Sequence, residues 1–181
     1  MSSSKKFLLD ANVFIEAHKK YYAFDICSGF WKALERQYRL GTLASIDRIK
    51  LELTQGRKKD EEPDALSDWA NKSAPEGFFK GTTDLAVIKT FGDMAKWVQG
   101  SQQFKDPAKQ KFADVADGWL IAYAKENGLI VVTHEQYAPE VQNKVPIPNV
   151  CIEFGVEFTD TFDMLRELKE EFVLKTKRRK S

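Results

Sequence analysis

The chain has 181 residues, 43% of them hydrophobic and 30% charged, with a formal net charge of +1. That length suits one domain with a sizeable core, and the composition excludes a disordered or fibrous chain. Near neutrality excludes a molecule that holds nucleic acid by overall basicity, so any grip on phosphate must come from local patches or bound cations. Cys27 and Cys151 lie far apart, with only His18 and His134 beside them, which gives neither a disulfide framework nor a structural zinc site. Only Phe7-Leu8-Leu9 precede Asp10 as an apolar run, too short for a signal-peptide core, and no run approaches a membrane span. A reduced cytoplasm, away from membranes, is the expected location.

In chain order, residues 7–9 read as a buried strand that stops at polar Asp10. A helix starting near Val13 decays into a loop at 19–22. A helix from 28 to about 38 ends at Gly41, and a second strand covers 42–46. Asp47 is a good N-cap for a helix through Leu53. Residues 57–63 are charged and expected to be exposed. Helices follow at 64–71 and 84–99, the second capped by Thr83. Residues 101–111 read as a loop with a short helix after Pro107. The segment 116–127 is a helix apolar over most of its circumference, which makes it central, and Gly128 lies just past its end. Residues 129–133 form the most strand-like run. A loop at 139–148, a short helix or turn at 150–154 and a strand at 156–158 follow. An amphipathic helix from 161 to about 174 carries Phe162, Leu165, Leu168 and Phe172 on one face. Residues 1–174 are expected to form a single domain and 175–181 a basic, disordered tail.

Short strands alternating with helices imply an α/β fold, a three-layer α/β/α sandwich around a parallel sheet of four to five short strands. Ligands gather at the carboxyl ends of such strands. Asp10 follows the first strand, Glu52 lies on the helix after the second, Asp117 opens the central helix, and Glu135 follows the strand ending at Thr133. Carboxylates from separate segments at one sheet end repel one another, and a hard divalent cation such as Mg²⁺ or Mn²⁺ relieves that repulsion. Phosphodiester hydrolysis is the chemistry such a site suits. Each acid also has a plainer reading: a turn after a strand for Asp10, a solvated helix residue for Glu52, and helix N-terminal acids for Asp114 and Asp117.

Four motifs carry a family resemblance. Phe7-Leu8-Leu9-Asp10-Ala11-Asn12-Val13-Phe14-Ile15 resembles the opening strand of PIN domains. Glu52-Leu53-Thr54-Gln55-Gly56 resembles the Glu-Leu-x-x-Gly of their next helix, and Asp117-Gly118-Trp119-Leu120-Ile121-Ala122-Tyr123-Ala124 their Asp-x-x-Ile-Ala-x-Ala helix. Val131-Val132-Thr133-His134-Glu135 resembles their strand ending in Thr-x-Asp, with Glu in place of Asp. The likeness runs from Lys6 to about Phe158, and the aromatic stretch 21–31 is similar to a less characterised bacterial and archaeal subfamily.

The resemblance implies a Mg²⁺- or Mn²⁺-dependent ribonuclease. Many small relatives are VapC-type toxins, homodimers restrained by an antitoxin. Asp10, Glu52 and Asp117 map to the three most reliable acidic positions and Glu135 to the fourth, which makes all four the expected catalytic and metal-holding carboxylates, with the longer Glu135 side chain leaving open whether it is a direct or an outer ligand. Asn12 and Thr133 map to polar residues that support the acids, and Asp114 is outside the family pattern, a cap or supporting acid. The rivals are a catalytically silent PIN fold that binds RNA or protein, and a phosphatase using Asp10, which lacks the second Asp two residues on. His18 and His134 read as surface or loop histidines, with His134 pointing away from its neighbours. Phe30, Trp31 and Ile26 read as core, with only Tyr21 or Tyr22 exposed; the tail lysines and arginines read as solvated.

Overall fold

A computed structural model of the protein describes residues 5–55 and 65–173. The charged stretch 57–63 and the basic tail 175–181 lie outside the described residues. Five short strands, β1 (Phe7–Leu9), β2 (Leu43–Ile46), β3 (Phe79–Lys80), β4 (Ile130–Val132) and β5 (Phe158–Thr159), form a parallel sheet in the order β3-β2-β1-β4-β5. Phe7, Leu8 and Leu9 point alternately to opposite faces and all are buried, so the sheet is covered on both sides. The covering helices are α1 (Ala11–Glu16), α2 (Ser28–Arg39), α3 (Asp47–Gln55), α4 (Ala65–Asp68), α5 (Leu85–Gly100), α6 (Asp106–Asp114), α7 (Asp117–Asn127), α8 (Ile147–Phe154) and α9 (Thr161–Glu167). The PIN-like α/β architecture is the one the sequence implies.

Central position explains α7. Leu120, Ile121, Ala122 and Ala124 are buried, and Trp119 stacks on Phe91 of α5 with centroids 4.0 Å apart. Gly118 is required by that packing: a Cβ there would stand 2.8 Å from both the Phe112 and Phe91 rings. Gly128 ends α7 in a left-handed conformation, φ 62°, and its N–H reaches back to the Ala124 and Lys125 carbonyls.

Several local expectations are corrected. The chain after α1 continues as a π-helical turn, Ala17–Tyr21, instead of opening into a loop, and a second such turn, Trp69–Ser73, extends α4. Asp84, not Thr83, caps α5, its carboxylate accepting from Ala86 N at 2.8 Å. Residues 101–111 are less irregular than expected, because Pro107 sits in the first turn of α6, where a missing N–H costs nothing, and Ala108 and Phe112 bury one face. The same logic starts α8 at Ile147, ahead of the expected 150, with Pro148 in its first turn. Strand β3 was not expected; two half-buried residues at a sheet edge carry no periodicity. Helix α9 stops at Glu167, short of 174, because the chain turns at Lys169, φ 54°. Phe172 therefore lies outside the helix and packs on Tyr22, with centroids 5.7 Å apart. Phe30 and Trp31 are core, but Ile26 is 76% exposed, at a turn beyond the reach of the core. Both cysteines are free. No helix among the described residues is long and apolar enough to cross a membrane.

Candidate active site

Strand β1 is the middle of the sheet. The chain leaves it towards β2 on one side, while β4 pairs on the other, so the order reverses between β1 and β4. The carboxyl ends of those two strands frame the crevice where open α/β sheets bind ligands. Asp10 and Thr133 stand on either side of it. The Thr133 hydroxyl donates to Asp10 Oδ2 at 3.0 Å, and the Asp10 backbone N donates to the Val132 carbonyl at 3.0 Å.

Asp10 is buried, at 2% exposure. Its Oδ1 accepts from Ala11 N at 2.6 Å, and Asn12 Nδ2 donates to its Oδ2 at 3.3 Å. The carboxylate thus caps α1, which accords with the plain reading of Asp10 as a turn acid, and it also stands at the crevice. Burial pushes its pKa up to about 6, against the hydrogen bonds from Thr133 and Ala11, with the charges of Glu135 and Glu52 adding to the rise.

Asp117 stands in the first turn of α7. Burial first, then the charges of Asp10, Glu135 and Glu52, push its carboxyl up to about 7, while Lys144 pulls the other way. No described residue donates a hydrogen bond to that carboxylate. Glu52 is exposed on α3 and reaches across to Ala116 N, which donates to its Oε1 at 3.1 Å. That bond ties α3 to the start of α7.

Glu135 differs from the other three. Its Oε1 accepts from Lys144 Nζ and its Oε2 from Ile147 N at 3.0 Å, at the start of α8. Its own backbone N donates to Thr133 Oγ1 at 3.2 Å. Asp114 ends α6, exposed, and does not cap α7, whose cap is Ala116 with no side-chain bond. His134 turns to Thr161, with Nε2 2.9 Å from its hydroxyl.

The structure therefore gathers Asp10, Glu52, Asp117 and Glu135 within electrostatic reach of one another, with Asn12 and Thr133 bonded to Asp10. Two cations went unnoticed in the sequence. Lys144 sits in a segment with no motif. Arg48 lies one turn before Glu52, its guanidinium 3.8 Å above the Trp119 ring and its Nε bonded to Thr82 Oγ1 at 3.2 Å. Among the described residues no three His, Cys, Asp or Glu side chains are drawn together tightly enough to hold a metal ion. The donor set nevertheless fits a hard cation in its chemistry: all donors are oxygens, and burial together with mutual repulsion pushes two of the carboxyls well above the usual carboxylate range.

A family described as a domain of unknown function (DUF4411) matches residues 7–172. No curated protein matches the chain. Among solved structures, the chain is similar to that of FitAB bound to an IR36 DNA fragment, at 16% identity and a TM-score of 0.53, over 85% of this chain and 94% of that one. It is similar also to FitAcB from Neisseria gonorrhoeae, at 14% identity and a TM-score of 0.50, over 84% and 95% of the two chains. At such identities the likeness is one of fold.

Proposed function

The chain belongs to the DUF4411 family, and for this member we propose a Mg²⁺- or Mn²⁺-dependent endoribonuclease that hydrolyses RNA phosphodiester bonds. The observation that carries the proposal is the pair Asp10 and Asp117, whose carboxyls are pushed up to about 6 and about 7 at the crevice between β1 and β4. A structural carboxylate is normally stabilised by its surroundings; these two are opposed by theirs, and a cation resolves that opposition. Asp10, Glu52 and Asp117 would hold the cation, with Glu135 as the fourth carboxylate of the site. A divalent ion there supplies Lewis acidity towards a phosphate oxygen and lowers the pKa of a water.

The chain's own residues set the stage for this. Thr133, Asn12 and the Ala11 N–H fix the rotamer of Asp10, so its oxygens stay aimed without metal. Ala116 N holds Glu52 against the start of α7, beside Asp117. An assay of RNA cleavage with and without Mn²⁺ tests the proposal. Cleavage that needs the metal is expected; RNA bound but uncut under saturating Mn²⁺ replaces the enzyme with a silent RNA-binding fold.

The proposal extends to a toxin role, supported by the sequence resemblance and by the fold shared with FitAB. In that role the protein is a homodimer, restrained by an antitoxin that places an Arg or Lys near Asp10 and Asp117. Leu85 and Ile88 on α5 are exposed, at 82% and 42%, and offer apolar surface for a partner. Light scattering at micromolar concentration reads the dimer. Equal host growth on expressing wild type or Asp10→Asn ends the toxin role and leaves the nuclease untouched.

A further inference from the structure

We propose that Lys144 is a phosphate-contacting residue of this site, and that Glu135 is the carboxylate that positions it rather than a ligand of the cation. The identification of that phosphate as RNA rests on the ribonuclease reading; the geometry of the pair does not.

Both Glu135 oxygens are committed. One accepts from the Lys144 ammonium and the other from Ile147 N, in the first turn of α8. An ammonium and a helix N-terminal N–H together neutralise a carboxylate, a counter-charge that Asp10 lacks, since its three donors, Ala11 N, Asn12 Nδ2 and the Thr133 hydroxyl, are all neutral. The pair is also layered. The Glu135 side chain is 10% exposed and that of Lys144 48%, so the acid lies inside and the ammonium faces outward. An ammonium has three donors, and Glu135 takes one.

The pair is tied to the reacting end of the sheet. The Glu135 N–H donates to Thr133 Oγ1, and that hydroxyl donates to Asp10 Oδ2. Lys144 and Asp117 line one small cavity of about 20 Å³, room for roughly a single water. The ammonium is close enough to Asp117 to draw its carboxyl down. A polyanion approaching this end meets four carboxylates, and the net charge of +1 gives no general attraction. A lysine locked at the rim supplies a fixed positive charge where the backbone must pass. Glu at position 135, where the family resemblance expects Asp, has the extra methylene that lets it reach α8 and Lys144.

Two measurements test the inference, neither of them activity. The first is Mn²⁺ binding by calorimetry for wild type, Glu135→Gln, Lys144→Gln and Asp10→Asn. Affinity within about twofold of wild type is expected for the first two variants, and a loss of at least about tenfold for Asp10→Asn. The second is binding of a single-stranded RNA oligonucleotide in EDTA across a salt series. Lys144→Gln should weaken binding by about tenfold and reduce the salt slope by about 0.7, the share of one phosphate contact. Lys144→Arg should keep the slope. Glu135→Gln should lose part of the affinity, since its amide holds the ammonium less firmly. An unchanged slope in Lys144→Gln overturns the phosphate contact. A loss of Mn²⁺ in Glu135→Gln equal to that of Asp10→Asn makes Glu135 a ligand and overturns its positioning role. A wild type that takes up no Mn²⁺ while the Lys144 slope persists ends the ribonuclease reading and leaves the contact standing.

Discussion

The two ends of the sheet are built on opposite terms. At the amino ends of the strands lies a cavity of about 240 Å³, lined by Lys6, Tyr38, Thr42, Lys80, Tyr123 and Asn127 among others. Its lining is basic and partly engaged: Tyr38 donates to the Glu76 carbonyl at 2.9 Å, and the Lys80 ammonium sits 5.1 Å from the Tyr38 ring centroid. At the carboxyl ends Asp117 lines a cavity of about 20 Å³, yet Asp10 and Asp117 are held there against their own charge, beside Glu52 and the Glu135–Lys144 pair. Of these two cavities the first is the larger, while the carboxyls pushed up by burial and by one another lie at the second. For a small apolar ligand, volume would decide. For an extended polyanion that lies across a surface, the balance of charge is the better guide, and at the carboxyl end it is one that the proposed cation would complete.

The largest effect that sharpens this contrast is expected from Asp10→Asn. The amide keeps the shape and a donor-acceptor set, but it is a poor ligand for a hard cation. Mn²⁺-dependent cleavage should fall by at least about a hundredfold, roughly 3 kcal/mol of transition-state stabilisation. Melting temperature without metal should stay level or rise, because the substitution removes a charge that burial and its neighbours oppose. Full activity at saturating Mg²⁺ would take Asp10 out of the chemistry. A steep fall in melting temperature would leave it only the cap of α1.

A smaller effect, with a sign fixed by the same charges, concerns pH. Burial and neighbouring carboxylates push Asp10 and Asp117 up to about 6 and about 7 from the ordinary aspartate value of 3.8. A folded-state pKa above the unfolded one means that the native state binds more protons between the two. The stability these groups contribute is complete below about pH 4 and is lost as the pH rises through 7. The metal-free protein should therefore melt several degrees higher at pH 5 than at pH 8, and Mn²⁺ should raise the pH 8 value most, since the ion binds the ionised form. In the Asp10→Asn, Asp117→Asn double variant the pH difference should shrink. A metal-free protein that is more stable at pH 8 than at pH 5, with the double variant unchanged, would show these carboxyls to be compensated after all.

How much of this was legible in the sequence depends on where each residue lies. Asp10 and Asp117 were legible because each stands at a boundary that local pattern marks, a strand end and the first turn of an apolar helix. The central strands and α7 were legible for the same reason: burial on both faces, or all round, leaves few polar interruptions. Strand β3 was not, since pairing with β2 alone makes Phe79 and Lys80 a strand. The helical run from Ile147 was hidden by Pro146 and Pro148, which read as loop although Pro148 fits a first turn. Lys144 was hidden more deeply. Its partner is nine residues away, across a turn whose path no periodicity encodes, and a lone lysine in a polar loop reads as solvated. The plain reading of Glu52 as a solvated residue was half right: the residue is exposed, yet its carboxylate holds the start of α7.

The smallest effect tests the other half of the comparison. If the amino-end cavity is a by-product of packing, Lys80→Ala should change neither Mn²⁺ affinity nor RNA cleavage by more than about twofold. Lys80 belongs to edge strand β3, is half-buried, and contributes a cation–ring contact to Tyr38. Loss of that contact should cost about 0.5–1 kcal/mol of stability, the range for exposed cation–ring pairs, or roughly 1–4 °C in melting temperature for a chain of this size. The pH dependence of stability should be untouched, because Lys80 is not among the groups that act on Asp10 or Asp117. A fall in cleavage of tenfold or more, with Mn²⁺ affinity and fold intact, would mean that the RNA runs from one end of the sheet to the other. The basic cavity would then hold part of the substrate, and volume would have been as good a guide to this protein as charge.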